Sequence, residues 1–497
     1  MARTLTFAAE RGARRGPVMR SGPVSPRFTA LIVASALFME NMDSSVIATS
    51  LPAIARDIVA DPIALKLAFT SYLLSLAVFI PVSGWAADRF GARTVFASAI
   101  AVFTAGSIAC GLSSSLEGFV LARVLQGLGG AMMTPVGRLV VLRSAPKHEI
   151  VDLIAWLTTP ALIGPLIGPP LGGFISTYFH WRWIFWINVP VGILGIALAL
   201  LYVPNIMAPD RPRFDRVGFV LSGLGLSGLV FGLSVLGQEL IPLKVAVVLV
   251  AVGSVSTLLY VRHARRTPHA ILDLKLFRLP TFRASVTGGS LFRVGIGAIP
   301  FLLPLMLQLG LGMTAFQSGS LTFVAAIGAL TMKLTAAPLV RRFGFKRLLV
   351  LNGFVSAGFV FLTGLFALGV PSAVIITVLL VGGFLRSLQF TCLNTVAYAE
   401  VSHAAMSRAT SLSSVVQQVS LSTGVAVGAL VLETLRAARP GETILASDFL
   451  VGFCVVGAIT LVAPFVFARL PRDAGAEMAR RRDPDEEDAA EGALPAK

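Results

Sequence analysis

The stretch FTALIVASALFMENMDSSVIATSLP, Phe28 to Pro52, decides how the rest of the chain is read. It is an apolar run long enough to cross a bilayer as a helix, yet it holds Glu40 and Asp43. A helix starting near Phe28 carries Glu40 about 18 Å along its axis, close to the centre of a hydrocarbon core. The two acids are three positions apart, so their carboxyls share one helix face. Ionisable groups at that depth are costly and by default mark an ion or substrate path. The competing account is an acid paired to a cation for packing alone, or one reaching for the surface.

The same character extends outward from this run. Over 497 residues the chain is 55% hydrophobic and 13% charged, with mean hydropathy +0.82. Soluble domains carry about twice that charge fraction. The expectation is an all-α integral membrane protein of fourteen spans. They lie near 28–50, 63–86, 94–112, 117–141, 151–177, 182–203, 216–236, 242–261, 283–308, 315–339, 347–368, 371–397, 406–434 and 447–469. The net charge of +16 does not signal nucleic acid, because the basic residues sit in short loops, without interleaved aromatics on a soluble domain. Loop charges orient the chain. With the N-terminus inside, the inner loops hold Arg89 and Arg93, Arg143 and Lys147, Arg211 and Arg213, and Arg341, Arg342 and Lys346. Both termini are then expected in the cytoplasm.

The remaining features are read more simply. Cys110, Cys392 and Cys454 lie inside apolar segments, too scattered for a metal cluster or a disulfide framework. Trp181, Trp183 and Trp186 cluster at one outer helix end, as an interfacial aromatic anchor would. Residues 1–27 form a basic segment, and residues 471–497 a polar tail expected to be disordered. DRFGAR, Asp88 to Arg93, is echoed by RRFGFK, Arg341 to Lys346. The echo falls at equivalent places in two six-helix halves only if spans seven and eight are an insertion. No Walker-type phosphate loop, nucleophile elbow, zinc-ligand spacing or dinucleotide fingerprint occurs, so neither direct ATP use nor enzyme chemistry is indicated.

Arg123 stands about six residues into a span, so it must turn inward and find a partner; Glu40 and Asp43 are the nearest acids in that half. An acid held between burial and a guanidinium can take up and release a proton, so Asp43 or Glu40, with Arg123, is the candidate coupling group. In the second half Arg293, Lys333 and Arg386 are buried cations. Arg293, Gln389, Asn394 and Gln417, the last in a stripe with Thr410, Ser413, Ser414 and Ser420, are candidate cavity residues. Hydrogen bonding between helices is the alternative for that stripe.

Four motifs in order give the chain a family resemblance: MDSSVIATSLPAIA (Met42–Ala55), GWAADRFGAR (Gly84–Arg93), RVLQGLGGA (Arg123–Ala131) and GPLIGPPLGG (Gly164–Gly173). HWRWIFWINVPVG, His180 to Gly192, adds to them. The chain resembles the major facilitator superfamily, and within it the fourteen-helix drug:proton antiporters of the EmrB and QacA type. The resemblance covers nearly all of residues 28–470. It implies the major facilitator fold: a six-helix bundle over 28–203, two inserted helices and a linker over 204–282, and a second bundle over 283–470. It implies proton-coupled export of small amphipathic or toxic compounds by alternating access, in the inner membrane, with no cofactor and the proton gradient as energy source. A dedicated metabolite, lipid or siderophore exporter is the alternative on the same fold. By resemblance, Asp43 belongs to the first-helix signature, and Gly84, Asp88, Arg89, Gly91 and Arg93 form a conformational latch. Gly164, Pro165, Gly168, Gly172 and Gly173 mark the antiporter helix. The implied partners are substrate, protons and lipid, with room for a periplasmic adaptor and an outer-membrane channel.

Overall fold

The structure is a computed structural model. It describes residues 25–144, 150–205, 214–235, 242–267, 270–368, 370–402, 405–439, 444–471 and 474–475. The expectations for the first 24 residues, for Lys147, Arg211 and Arg213, and for the tail beyond residue 475 lie outside the described residues. Among the described residues every regular element is helical, as a bilayer requires of segments that must satisfy their own backbone groups.

The first half comprises α1 (Pro26–Asp57), α2 (Lys66–Phe90), α3 (Ala92–Leu112), α4 (Leu116–Ser144), α5 (Ile150–Tyr178), the single turn α6 (Trp183–Trp186) and α7 (Asn188–Tyr202). Next come α8 (Arg216–Val235) and α9 (Leu243–Arg266). The second half comprises α10 (Pro280–Leu305), α11 (Ala315–Phe343), α12 (Phe345–Gly364), α13 (Ser372–Val396), α14 (Met406–Ala437) and α15 (Ala446–Phe467). Helix starts follow local chemistry. Ser25 Oγ accepts from Phe28 N at the head of α1, with Pro26 in the first turn. Thr314 and Gln317 close a reciprocal capping box on α11. Twelve helices among the described residues are long and apolar enough to cross a membrane. Helices α5 and α8 stand where the fifth and seventh spans were expected, α8 as a shorter apolar helix. Side chains such as Leu258, 70% exposed, and Leu121, 69%, point outward in a broad apolar surface. A surface of that kind belongs in lipid, and the protein is a multi-pass membrane protein.

The packing repeats. In the first half α1 packs on α5 and α7, α2 on α4, and α3 on α4 and α7. In the second half α10 packs on α14 and α15, α11 on α13, and α12 on α13 and α15. The halves are therefore two copies of one six-helix arrangement, and α8 packs mainly on α9 as an inserted pair. The sequence echo falls at matched corners. Gly91, φ +92°, turns α2 into α3, and Gly344, φ +73°, turns α11 into α12. Both occupy a backbone region that a side chain disfavours.

The bundles meet through α5 against α11 and α2 against α14. Polar contacts join them at the end carrying Trp181. Lys66 Nζ pairs with Glu433 at 2.8 Å, and Gln308 Nε2 donates to Thr49 O at 2.9 Å. There too Phe316 N donates to Thr177 Oγ1 at 3.0 Å, and Arg436 pairs with Asp61. Trp181 itself is buried against Phe119 and Phe185, with Arg182 stacked on its ring. Of the three tryptophans only Trp183 is exposed, so the expected interfacial anchor is largely a packed core.

Candidate functional site

Of the two acids that the sequence offered to Arg123, the structure pairs it with Asp43, in the interior of the first bundle. Arg123 Nη1 donates to Asp43 Oδ2 at 2.7 Å, and both side chains are sealed from solvent. Two further donors complete the carboxylate: Gln126 Nε2 at 2.9 Å and Asn188 Nδ2 at 2.8 Å, both to Oδ1. Arg123 Nη1 also donates to Gln126 Oε1 at 2.6 Å, and the guanidinium lies 4.2 Å from the centre of the Tyr72 ring. Ser107 accepts from Gln126 and Asn188 and donates to Phe185 O, which carries the network into α3. A buried pair gains by such satisfaction of its remaining lone pairs and protons. Four spans, α1, α3, α4 and α7, are thereby tied at one point. Gln126 and Asn188 were visible inside quoted motifs without a role; Ser107 had no signal in the sequence at all.

Glu40 stands apart from this network. Its Oε2 accepts from Thr134 Oγ1 on α4 at 2.9 Å, and the residue is only half-buried. The two acids share a helix face but have different partners. A proton added to Asp43 would break its bond to Arg123 and leave a sealed guanidinium uncompensated. A proton added to Glu40 breaks no hydrogen-bonded ion pair.

On α5, Gly164, Gly168 and Gly172 seat the helix on α1. A Cβ at Gly164 would lie 2.8 Å from Met42 N, and one at Gly168 or Gly172 would collide with Ser45 Oγ or Val46 O. Interhelical bonds follow from that closeness: Thr49 Oγ1 donates to Pro169 O at 3.2 Å and Ser45 Oγ to Gly164 O at 3.4 Å. Gly173 turns the other way, onto the Ala315 backbone of the second bundle. Helix α5 runs unbroken through Pro165, which is exposed, and through Pro169 and Pro170. At the α2–α3 corner Arg89 is exposed while Asp88 and Arg93 are half-buried. Gly91 makes a tight turn. Gly84 is exposed with open space before it in this conformation.

In the second bundle Arg293 and Asn394 come together: Arg293 Nη2 donates to Asn394 Oδ1 at 3.0 Å. Gln389 is not free to line a cavity. It is fully buried, accepts from Asn352 Nδ2 at 2.8 Å and donates to Leu349 O at 2.9 Å, joining α13 to α12. A buried amide is satisfied by its nearest backbone, and here that backbone belongs to α12. Gln417 is half-buried on α14. Thr410 and Ser420 in the same stripe donate to their own helix at Met406 O and Val416 O.

Two repeated bundles, fastened to each other at one end and one of them holding a buried polar network, define a membrane transporter of the alternating-access type. The model of the Major Facilitator Superfamily matches residues 33–425 and again 286–485. A putative multidrug resistance protein MdtD of Escherichia coli O9:H4 (strain HS) is 38% identical over 459 residues, covering 91% of this chain and 96% of the relative. The MdtD protein of Klebsiella pneumoniae subsp. pneumoniae is 37% identical over 469 residues, covering 93% and 98%. Among solved structures, the POT family transporter PepTSo has a TM-score of 0.66 at 15% identity, covering 93% of this chain and all of that one. A D-xylose–proton symporter has 0.65 at 16%, covering 91% and 99%. The chain belongs to the Major Facilitator Superfamily and is a transporter of small molecules, not an enzyme.

Proposed function

We propose that the protein is a fourteen-span exporter that moves small amphipathic or toxic compounds out of the cytoplasm in exchange for protons. The observation that carries this is Glu40: a half-buried acid at mid-span, held by one hydroxyl and standing beside a sealed ion-pair network. Exchange needs a group that can gain and lose a proton without dismantling the helix bundle. Glu40 meets that need, and Asp43 with Arg123 then serves as the fixed charge against which it works. The likeness to MdtD, a putative multidrug resistance protein, supports drug-like compounds as cargo.

With both termini cytoplasmic, the Trp181 end faces outward. The bundles are fastened there by Lys66–Glu433 and Gln308–Thr49, which corresponds to the state that receives cargo from inside. The loop-corner charges Asp88, Arg89 and Arg93 would act when the opposite end closes. Residues 28–203 and 283–470 are the moving bodies, 204–282 the inserted pair and its linker, and the membrane is the cytoplasmic one. The cycle itself needs no partner; a periplasmic adaptor and outer-membrane channel would only lengthen the path.

The test is proton release from purified protein when candidate compounds are added. Wild type is expected to release protons. Glu40→Gln should abolish the signal while its thermal unfolding stays near wild type. A wild-type preparation silent to every compound, or a Glu40→Gln variant that still releases protons, overturns the reading.

A further inference from the structure

Within the described spans the charges are unequally shared. The interior carboxylates are Glu40 and Asp43, both on α1, and Asp43 is matched by Arg123. The second bundle holds Arg293, Lys333 and Arg386 away from its helix ends, and among the described residues none of them forms an ion pair. Their partners are neutral. Arg293, 1% exposed, reaches Asn394 Oδ1 and the Phe390 ring, and its Nε has no partner. Lys333 Nζ donates to Thr391 Oγ1 at 3.1 Å. Arg386 lines a small cavity beside Ser356 and Thr363.

Arg293 and Lys333 converge on one strip of α13. They approach from α10 and α11 and engage residues three apart, Asn394 and Thr391, which lie on one helix face. Asn394 and Lys333 are exposed. An amide and an ammonium turned to hydrocarbon would be costly, which turns this strip toward water rather than lipid. Asn394 gives its Oδ1 to Arg293, which leaves its Nδ2 free to donate. An arriving oxyanion would find that Nδ2 and the Lys333 ammonium, with the buried Arg293 charge behind them. A lipophilic cation would meet only repulsion here.

We propose that this strip, Arg293 and Asn394 with Lys333 and Thr391, binds the carboxylate or sulfonate of the exported compound, so the cargo is an amphipathic anion. The proposal rests on the export reading above and adds the sign of the cargo's charge. It also explains why the bundles differ: the first keeps the exchangeable acid, and the second keeps the cations that hold the cargo.

The experiment uses inverted membrane vesicles containing the full chain, energised by an acid interior. The probes share one ring: 2-naphthalenesulfonate, 2-naphthalenesulfonamide and trimethyl-2-naphthylammonium. Uptake of the sulfonate is expected to exceed that of the ammonium by about tenfold or more, as one charge-assisted contact allows. Arg293→Gln should lower sulfonate uptake about tenfold. Asn394→Asp should do the same by supplying Arg293 with an internal carboxylate at unchanged size, which keeps the test valid if Arg293→Gln fails to fold. Lys333→Arg should retain uptake, because the charge is kept. Ammonium uptake without sulfonate uptake overturns the anion site and leaves the export reading standing. Sulfonate uptake indifferent to Asn394→Asp and Arg293→Gln overturns the site alone. Silence toward all three probes overturns both.

Discussion

Glu40 on α1 and Arg293 on α10 occupy matching places in the two bundles. Each stands the same number of residues ahead of the glycine, Gly91 or Gly344, that turns the second helix of its bundle into the third. Their surroundings are alike in plan: α1 packs on α5 as α10 packs on α14, with glycines at both contacts. Their charges are opposite. The first bundle holds an acid–guanidinium–amide network beside its site, whereas the second leaves a guanidinium with an amide and a ring. The scaffold was duplicated in geometry and divided in electrostatics, which is what an exchanger of two unlike species needs.

The largest expected effect tests the Asp43–Arg123 network. Asp43→Asn strands Arg123, and breaking one side of a buried pair costs about 3–5 kcal/mol. Thermal unfolding in detergent should show a large loss, and the double variant Asp43→Asn with Arg123→Gln should recover part of it. A single variant as stable as wild type would mean that the network is not structural. An intermediate effect tests the shared scaffold. Gly168→Ala on α5 and Gly424→Ala on α14 would each drive a methyl into the facing helix, at Ser45 Oγ and Val294 O. Overpacking of this kind costs about 1–3 kcal/mol, and the two losses should be similar. A loss confined to one bundle would break the equivalence. The smallest expected effect is that of Arg293→Gln on stability, within about 1 kcal/mol, because no carboxylate is orphaned when the cation goes. A loss as large as that of Asp43→Asn would reveal a hidden acid partner and erase the contrast.

Much of the scaffold was legible. Apolar runs of span length can satisfy their backbones only as helices, so the order and approximate limits of α1 to α15 follow from the sequence, except that the sixth span breaks into α6 and α7 before Asn188. That Arg123 would meet an acid of α1 was legible too, because a deep guanidinium must find an acid and only α1 offers one nearby; which of Glu40 and Asp43 it would be was not. Gln126 and Asn188 were not, since a neutral amide in a span carries no sign of which helix it will meet. Gln389 was placed at the cavity for the same reason, and it is spent on Asn352 and Leu349 instead. Trp181 shows the limit of composition, because a tryptophan near a helix end can cap a core as well as mark an interface.

Taken alone, the sequence determined a helical membrane protein and the depth of its charges, because hydropathy and span length act locally along the chain. Only the tertiary structure decided which charges are matched. Pairing depends on how helices far apart in sequence are rotated against one another, and that rotation separated Glu40 from Asp43. It sealed Asp43 against Arg123 and left Arg293 without an acid.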